Sequence, residues 1–319
     1  MAHMKIAILG YSWLGPSHLE RLRAIGEVVE YKSTTSEEAA IERLAGVQIA
    51  VADQWDTPLS RKVFENAPEL KYLTLNSTGF DRTDIAAAKA CGIHVANIPG
   101  FSTDAVAEFT LGLALATTRH MIQGDSMVRA KPFQVDPANE THQVFQGFDL
   151  RGKTWGVIGL GQIGIRVAEI AQGMGMRVLG YNRSAKEVSG VEVVPLEKLL
   201  EESDVVSLHL ALTEDQHNLM GKENLARMRP HAILVNTARG AFIDEHAVAE
   251  ALTSGRLGGF GSDFLVDYSS ANPLLTAPNT TLTPHSGFFT KEALENLAEI
   301  VVTNIESYAK GVPANVVNV

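Results

Sequence analysis

Three polar clusters and one glycine-rich turn hold the residue types with which this chain could do chemistry. Asn76-Ser77-Thr78-Gly79-Phe80-Asp81 follows an apolar run, Leu70 to Leu75. Gly79 and its neighbours can turn backbone N–H groups toward an anion such as a carboxylate, although an ordinary turn reads the same way. Val235-Asn236-Thr237-Ala238-Arg239-Gly240 also follows an apolar run. An arginine there suits a planar grip on a carboxylate better than a solvated surface, with a structural ion pair as the alternative. Thr283-Pro284-His285-Ser286-Gly287 places an imidazole in the same kind of position, as a general acid near neutral pH or as a satisfied core residue.

The fourth feature is Thr154 to Ser184. An apolar run, Trp155 to Ile158, leads into Gly159-Leu160-Gly161-Gln162-Ile163-Gly164 and then into a helical pattern with Val167, Ile170, Ala171 and Met174 on one side. A second apolar run, Met176 to Leu179, completes a strand–turn–helix–strand unit. The first glycine permits the tight turn, the second lets backbone approach a pyrophosphate, and the third lets the helix pack closely on the strand. The motif alone is weak evidence; with both strands and the helix in place it reads as a dinucleotide site. A dinucleotide, an arginine for a carboxylate and a histidine for a proton define one reaction. Hydride passes from a nicotinamide to a carbonyl carbon while His285 protonates the oxygen and Arg239 holds the carboxylate and polarises the carbonyl. Metal chemistry finds little support, because His217, His231 and His246 are scattered and no HExxH spacing occurs.

The elements that must position these groups alternate. Strands are expected at Lys5–Leu9, Glu27–Tyr31, Gln48–Ala52, Leu70–Leu75 and Ile93–Ala96, with helices between them, one opened by Ser36 and one ended by Gly92. Such alternation means a parallel sheet covered on both faces. Gly10 to Ser17 has two glycines five apart, but Pro16 stands where a phosphate-binding loop needs lysine, so a helix-opening turn is the better reading. Thr103 to Arg129 reads as one long, largely apolar helix, expected between domains or at a subunit interface. The pattern is lost from Lys131 to Gly152 and resumes beyond Ser184, with Asp244 as a helix N-cap and a last helix at about Thr290 to Ala309.

The chain's 319 residues suffice for two domains. Its charge, 27 − 37 = −10, argues against nucleic-acid binding and against attraction to anionic membranes. Cys91 is the only cysteine, so no intramolecular disulfide or thiolate metal site forms; it reads as structural, at a buried helix end. Without a membrane-length apolar run or a signal pattern, a cytoplasmic enzyme is expected.

Read together, these blocks resemble the D-isomer-specific 2-hydroxyacid dehydrogenases over essentially the whole chain. The resemblance runs through Thr78–Asp81, Asn97–Gly100, Thr103–Glu108, GLGQIG, NTARGAFIDE at Asn236–Glu245 and TPHSG at Thr283–Gly287. It implies two doubly wound α/β domains with the active site in the cleft between them: a substrate domain of residues 1–101 plus 289–319 and a dinucleotide-binding domain of 102–288. A homodimer through the cofactor domain is implied too. Arg239 would be the catalytic arginine and His285 the acid/base, with the N–H groups of Thr78 and Gly79 on the substrate carboxylate. Thr103, Gly159, Leu160, Gly161, Gln162, Ile163, Gly164, His209, Thr237, Asp263 and Gly287 would line the cofactor, Asp263 near the carboxamide.

The chain departs from the family at three places. Where the family has a glutamate paired with its histidine, this chain has Tyr268; Asp267, one residue earlier, either takes that role or is a solvated loop residue. Ala211 replaces a frequent proline. The second strand of the nucleotide unit ends in Asn182-Arg183-Ser184 rather than an acidic residue for the ribose hydroxyls. That removes a charge repelling a 2′-phosphate and supplies partners for one, so NADP(H) is expected over NAD(H). The expected activity is reduction of a small 2-oxo acid, glyoxylate or hydroxypyruvate first, with Tyr11, Trp13, Gln54, Trp55, Phe80, Phe288 and Phe289 around the substrate. The alternatives are a cofactor-sensing scaffold or co-repressor and an NAD-linked phosphoglycerate-type dehydrogenase.

Overall fold

The computed structural model describes residues 4–130, 145–184, 186–213 and 216–318. The chain folds as two units, Met1–Ser102 with Phe289–Val319, and Thr103–Phe288.

In the first unit, strands β1 (Met4–Ile8), β2 (Gly26–Glu30), β3 (Ile49–Ala52), β4 (Tyr72–Leu75) and β5 (His94–Ala96) are all parallel, in the order β2-β1-β3-β4-β5. Every residue of β3 and β4 is buried, as strands covered on both faces require. Helices α1 (Pro16–Arg23), α2 (Glu37–Leu44), α3 (Arg61–Glu65) and α4 (Ile85–Ala90) connect them. Pro16 opens α1 directly after Gly15, and the Ser36 and Asp84 side chains cap α2 and α4 by accepting from Ala39 N and Ala87 N. Cys91 is the C-cap of α4 and only partly buried.

This unit is completed from far along the chain. Helix α11 (Lys291–Ala309) buries Leu297, Val301, Val302 and Ile305. Its fully buried Asn304 donates to Thr74 Oγ1 and to the Asn97 carbonyl. Val316 then pairs antiparallel with Ala96, and the Asn318 amide accepts from Val95 N and donates to the Ile93 carbonyl.

The second unit carries β6 (Thr154–Ile158), β7 (Arg177–Tyr181), β8 (Val191–Val193), β9 (Val205–Leu208), β10 (Ile233–Asn236), β11 (Gly259–Ser262) and β12 (Thr280–Leu282). They are parallel, in the order β12-β11-β10-β9-β6-β7-β8. This is the doubly wound dinucleotide-binding order, with the strand sequence reversing between β6 and β9. Helix α7 (Gln162–Gly173) follows β6; α8 (Leu196–Glu202), α9 (Lys222–Arg227) and α10 (Glu245–Thr253), capped by Asp244, follow in turn.

One expectation needs correction. The stretch from Thr103 is two helices, α5 (Thr103–Thr118) and α6 (Met121–Ala130), broken where His120 turns to φ +51°. Helix α5 packs on the sheet of its own unit, burying Ala107, Leu113 and Ala114 with Trp155 and Val157 of β6. Strand β8, the edge strand, is three residues long, Val-Glu-Val, and none of them is fully buried. Most of the patternless stretch from Lys131 lies outside the described residues.

Candidate active site

Because all strands of the second unit are parallel, Gly159, His209, Arg239, Asp263 and His285, each following a strand, lie along one sheet edge. The glycines explain themselves by distance. Gly159 has φ +98°, and a Cβ on it would stand 2.6 Å from the His209 carbonyl oxygen across the strand reversal. A Cβ on Gly164 would stand 1.9 Å from the Gly159 carbonyl, whereas one on Gly161 would meet nothing within 4 Å. So the first and third glycines serve close packing, and the second leaves open space at the N-terminus of the twelve-residue helix α7, where it is the N-cap. That cradle fits the pyrophosphate of a dinucleotide.

Asn182 holds the turn after β7. Its Oδ1 accepts from Leu160 N at 3.3 Å, and its Nδ2 donates to the carbonyl and hydroxyl of Ser184, each at 3.0 Å. Arg183 and Ser184 are exposed beside it. Lys186, which no motif marks, donates from Nζ to the Leu160 carbonyl at 2.6 Å. Thr237 shares a hydrogen bond with Thr110 on α5 at 2.9 Å. His209 bonds through Nε2 to Ser207 Oγ, which also accepts from the Trp155 indole, and burial pushes its imidazole down to about 3. It is therefore a neutral partner for any ligand.

Arg239 stands on a turn fixed by the fully buried Asn236, whose amide accepts from Ala238 N and donates to the Arg239 carbonyl. His285 stands on a turn held by Asp263. The buried Asp263 carboxylate accepts from Thr283 Oγ1 at 2.7 Å and from Ser286 N and Gly287 N, each at 2.8 Å. His285 adopts φ +56°, and burial pushes its imidazole down to about 4, with the Asp263 carboxylate opposing and the Arg239 guanidinium adding to the shift. Asp263 thus shapes the histidine's turn, beyond the carboxamide contact expected of it.

Asp267 is not paired with His285. Its exposed carboxylate accepts from Ser269 N at 2.7 Å and Ser269 Oγ at 2.8 Å, which holds it below the usual carboxylate range. The sequence Asp-Tyr-Ser closes a side-chain-to-backbone turn on itself, and Tyr268 accepts from Leu265 N through its hydroxyl. Among the described residues no group of three His, Cys, Asp or Glu is placed to hold a metal ion.

In the first unit, the Thr78–Gly79 turn has its acceptors engaged. Asn97 Nδ2 donates to the Thr78 carbonyl, Thr78 Oγ1 donates to the Ile98 carbonyl, and the Gly79 carbonyl accepts from Ser77 Oγ and Gln54 Nε2. The N–H groups of Thr78 and Gly79 meet no protein acceptor among the described residues, as an anion-binding turn requires. Gln54 is 4% exposed and also accepts from Arg82 N, so one side chain grips both ends of the 77–82 loop. Trp13, at φ +59°, lies edge-on between Tyr11 and Phe289, and the Arg82 guanidinium lies 3.8 Å over the Trp55 ring. Thr103 is the first residue of α5.

Residues 111–287 match the family model for the D-isomer specific 2-hydroxyacid dehydrogenase NAD binding domain. A hydroxypyruvate reductase of Blautia hydrogenotrophica is 35% identical across 99% of this chain and 100% of its own. This chain belongs to the D-isomer specific 2-hydroxyacid dehydrogenases. A glyoxylate reductase of Thermococcus litoralis is 39% identical over 82% of this chain and 80% of its own. Among solved structures, an acyclic imino acid reductase in complex with NADPH and D-Arg superposes with a TM-score of 0.91, at 34% identity over 98% of this chain and 100% of that one. The dehydrogenase is therefore a nicotinamide-dependent oxidoreductase acting on the CH–OH group of its donor. No helix among its described residues is long and apolar enough to cross a membrane.

Proposed function

We propose that this dehydrogenase is an NADP(H)-preferring reductase of small 2-oxo acids, glyoxylate or hydroxypyruvate first. Arg239 binds the substrate carboxylate and polarises the carbonyl, and His285 delivers the proton. The observation that carries the reading is the placement of Arg239 and His285 on the sheet edge that bears the glycine cradle. Residues 102–288 hold the cofactor, and residues 1–101 with 289–319 serve the substrate, whose carboxylate takes the Thr78 and Gly79 N–H groups. Helix α6 supports a dimer through the cofactor domain: none of its residues is buried, yet it carries Met121, Ile122, Met127 and Val128.

When bound, the nicotinamide supplies the hydride. The chain's own part is to fix the carboxylate, polarise the carbonyl and move one proton at His285. In the free protein that imidazole is neutral at pH 7. Burial is the main cause of that shift and the Arg239 guanidinium a lesser one; a carboxylate resting on Arg239 offsets the lesser cause and raises the imidazole's affinity for a proton. A neutral imidazole also favours a second reading, reduction of a protonated imine that brings its own proton, the class of substrate named for the imino acid reductase.

The cofactor preference rests on Asn182, Arg183, Ser184 and Lys186, a rim without a carboxylate and with two cations. We expect kcat/KM for NADPH to exceed that for NADH by about tenfold or more, the worth of one charge-assisted contact, and Asn182→Asp to narrow the gap. The deciding measurement is initial rates with both cofactors across 2-oxo acids of increasing size, each repeated with methylamine. Preference for NADH would sink the cofactor assignment, and turnover only with amine would select the imine reading.

Gln54 gives a separate test. Gln54→Leu removes three hydrogen bonds from a buried site and should cost about 1–3 kcal/mol of stability. It should also raise KM for the 2-oxo acid with KM for NADPH unchanged. If KM for the 2-oxo acid stays at the wild-type value, the 77–82 loop does not receive the substrate.

A further inference from the structure

One buried ring touches both groups proposed to do the chemistry. Phe264 is 6% exposed. Its ring centroid lies 3.9 Å from that of His285, with the planes 42° apart, and the Arg239 guanidinium carbon lies 5.4 Å from the same centroid. Phe288 reaches the imidazole from elsewhere on its own turn, at 5.3 Å.

The segment carrying Phe264 is fixed at both ends. Ser262 Oγ donates to the Phe264 carbonyl at 2.6 Å, and the Asp263 carbonyl accepts from His285 N at 3.0 Å. Glu245 accepts from Val266 N at 2.7 Å, from Asp267 N at 3.4 Å and from Asn272 Nδ2 at 3.0 Å. The backbone of Leu265 and Val266 passes so close to Gly240 that a Cβ there would stand 2.8 Å from the Leu265 carbonyl carbon. The turns of Arg239 and His285 are thus tied to one short segment, and Phe264 is its side chain between them.

We propose that Phe264 is a positioning residue, one aromatic ring that sets the imidazole of His285 and the guanidinium of Arg239 in register for the same substrate. The proposal rests on the catalytic roles given above to those two residues. A guanidinium within about 6 Å of a ring centroid is attracted to the ring, which steers Arg239 without occupying the N–H groups it needs for a carboxylate. Against His285 the ring offers a close, tilted apolar contact that orients the imidazole and keeps water from it. The charged groups acting on the imidazole include Asp263, on the segment before Phe264, and Arg239, on the turn after β10. Loosening the ring admits water and weakens the burial that keeps the imidazole neutral.

The test is Phe264→Leu, with Phe264→Tyr as the variant that keeps the ring. For Phe264→Leu we expect kcat on a 2-oxo acid to fall at least tenfold, KM for NADPH to stay within twofold, and the titration midpoint of His285, read by NMR on the protein without cofactor, to move upward by a full pH unit or more. Phe264→Tyr should keep kcat within about threefold and leave the midpoint in place. Wild-type kcat and an unmoved midpoint in Phe264→Leu overturn the proposal, as does a Phe264→Tyr variant as impaired as the leucine one. Should His285→Asn retain wild-type turnover, the catalytic reading fails separately, and the His285 midpoint in Phe264→Leu still decides whether the ring governs the imidazole.

Discussion

Replacing His285 by asparagine is expected to cut turnover on a 2-oxo acid by about 10²- to 10⁴-fold, the usual worth of a positioned acid–base group, with cofactor affinity retained. Asparagine is the informative substitute because His285 has φ +56°, a conformation that asparagine tolerates better than most residues. Loss of activity then reports the imidazole rather than a damaged turn. In wild type, kcat/KM for reduction follows the free protein, whose imidazole sits near 4, while kcat follows the substrate complex. The alkaline limb of kcat should therefore lie at higher pH than that of kcat/KM. Coincident limbs would show that substrate binding brings no proton to His285.

Stability should carry the same signature. In the unfolded chain the imidazole takes a proton below about 6.5, in the folded protein only below about 4. Between those values the unfolded state binds more protons, so this group removes stability as pH falls through the window. His285→Asn lacks that loss, and its Tm relative to wild type should rise from neutral pH to about pH 4.5. A constant Tm difference would contradict the burial of the ring.

The second large effect belongs to Gly164. Its Cβ would stand 1.9 Å from the Gly159 carbonyl oxygen and 3.2 Å from Val157 Cγ1, and the nearer atom is backbone that has no rotamer to change. Gly164→Ala should cost at least the ~3 kcal/mol at the upper end of overpacking, lower Tm by several degrees and abolish NADPH binding. Gly161→Ala is the control: its Cβ meets nothing within 4 Å, so Tm should hold while affinity for the dinucleotide falls about tenfold or more through contact with the pyrophosphate. Equal behaviour of the two variants in both assays would remove the distinction between a packing glycine and a ligand-facing one.

Much of this is legible in the residues, and the failures have causes. Ser36, Asp244 and Pro16 announce helix starts because a capping oxygen or a fixed φ acts over three or four residues, within reach of a local reading. The glycines and the Arg239 and His285 turns are legible because each follows an apolar run. The break at His120 is not: Thr117-Thr118-Arg119-His120 contains neither proline nor glycine, and only the three-dimensional path decides where the helix stops. Asp267 misleads because adjacency along the chain says nothing of direction, and Ser269 two residues on captures its carboxylate. Gln54, Phe264 and Lys186 act across 25, 21 and 26 residues of sequence, and no periodicity records such pairings.

The first unit is discontinuous: residues 103–288 interrupt it, and Val316 and Asn318 pair with β5 from the far side of that interruption. This sets an order of assembly during synthesis. The second unit is one continuous stretch and closes its sheet as soon as β12 has emerged. The first unit must wait with β5 and one face of β4 uncovered until α11 and the segment carrying Val316 and Asn318 arrive. Its last contacts span up to 285 residues, as between Arg21 and Glu306 of α11, and contacts of such separation carry the largest loop-closure cost.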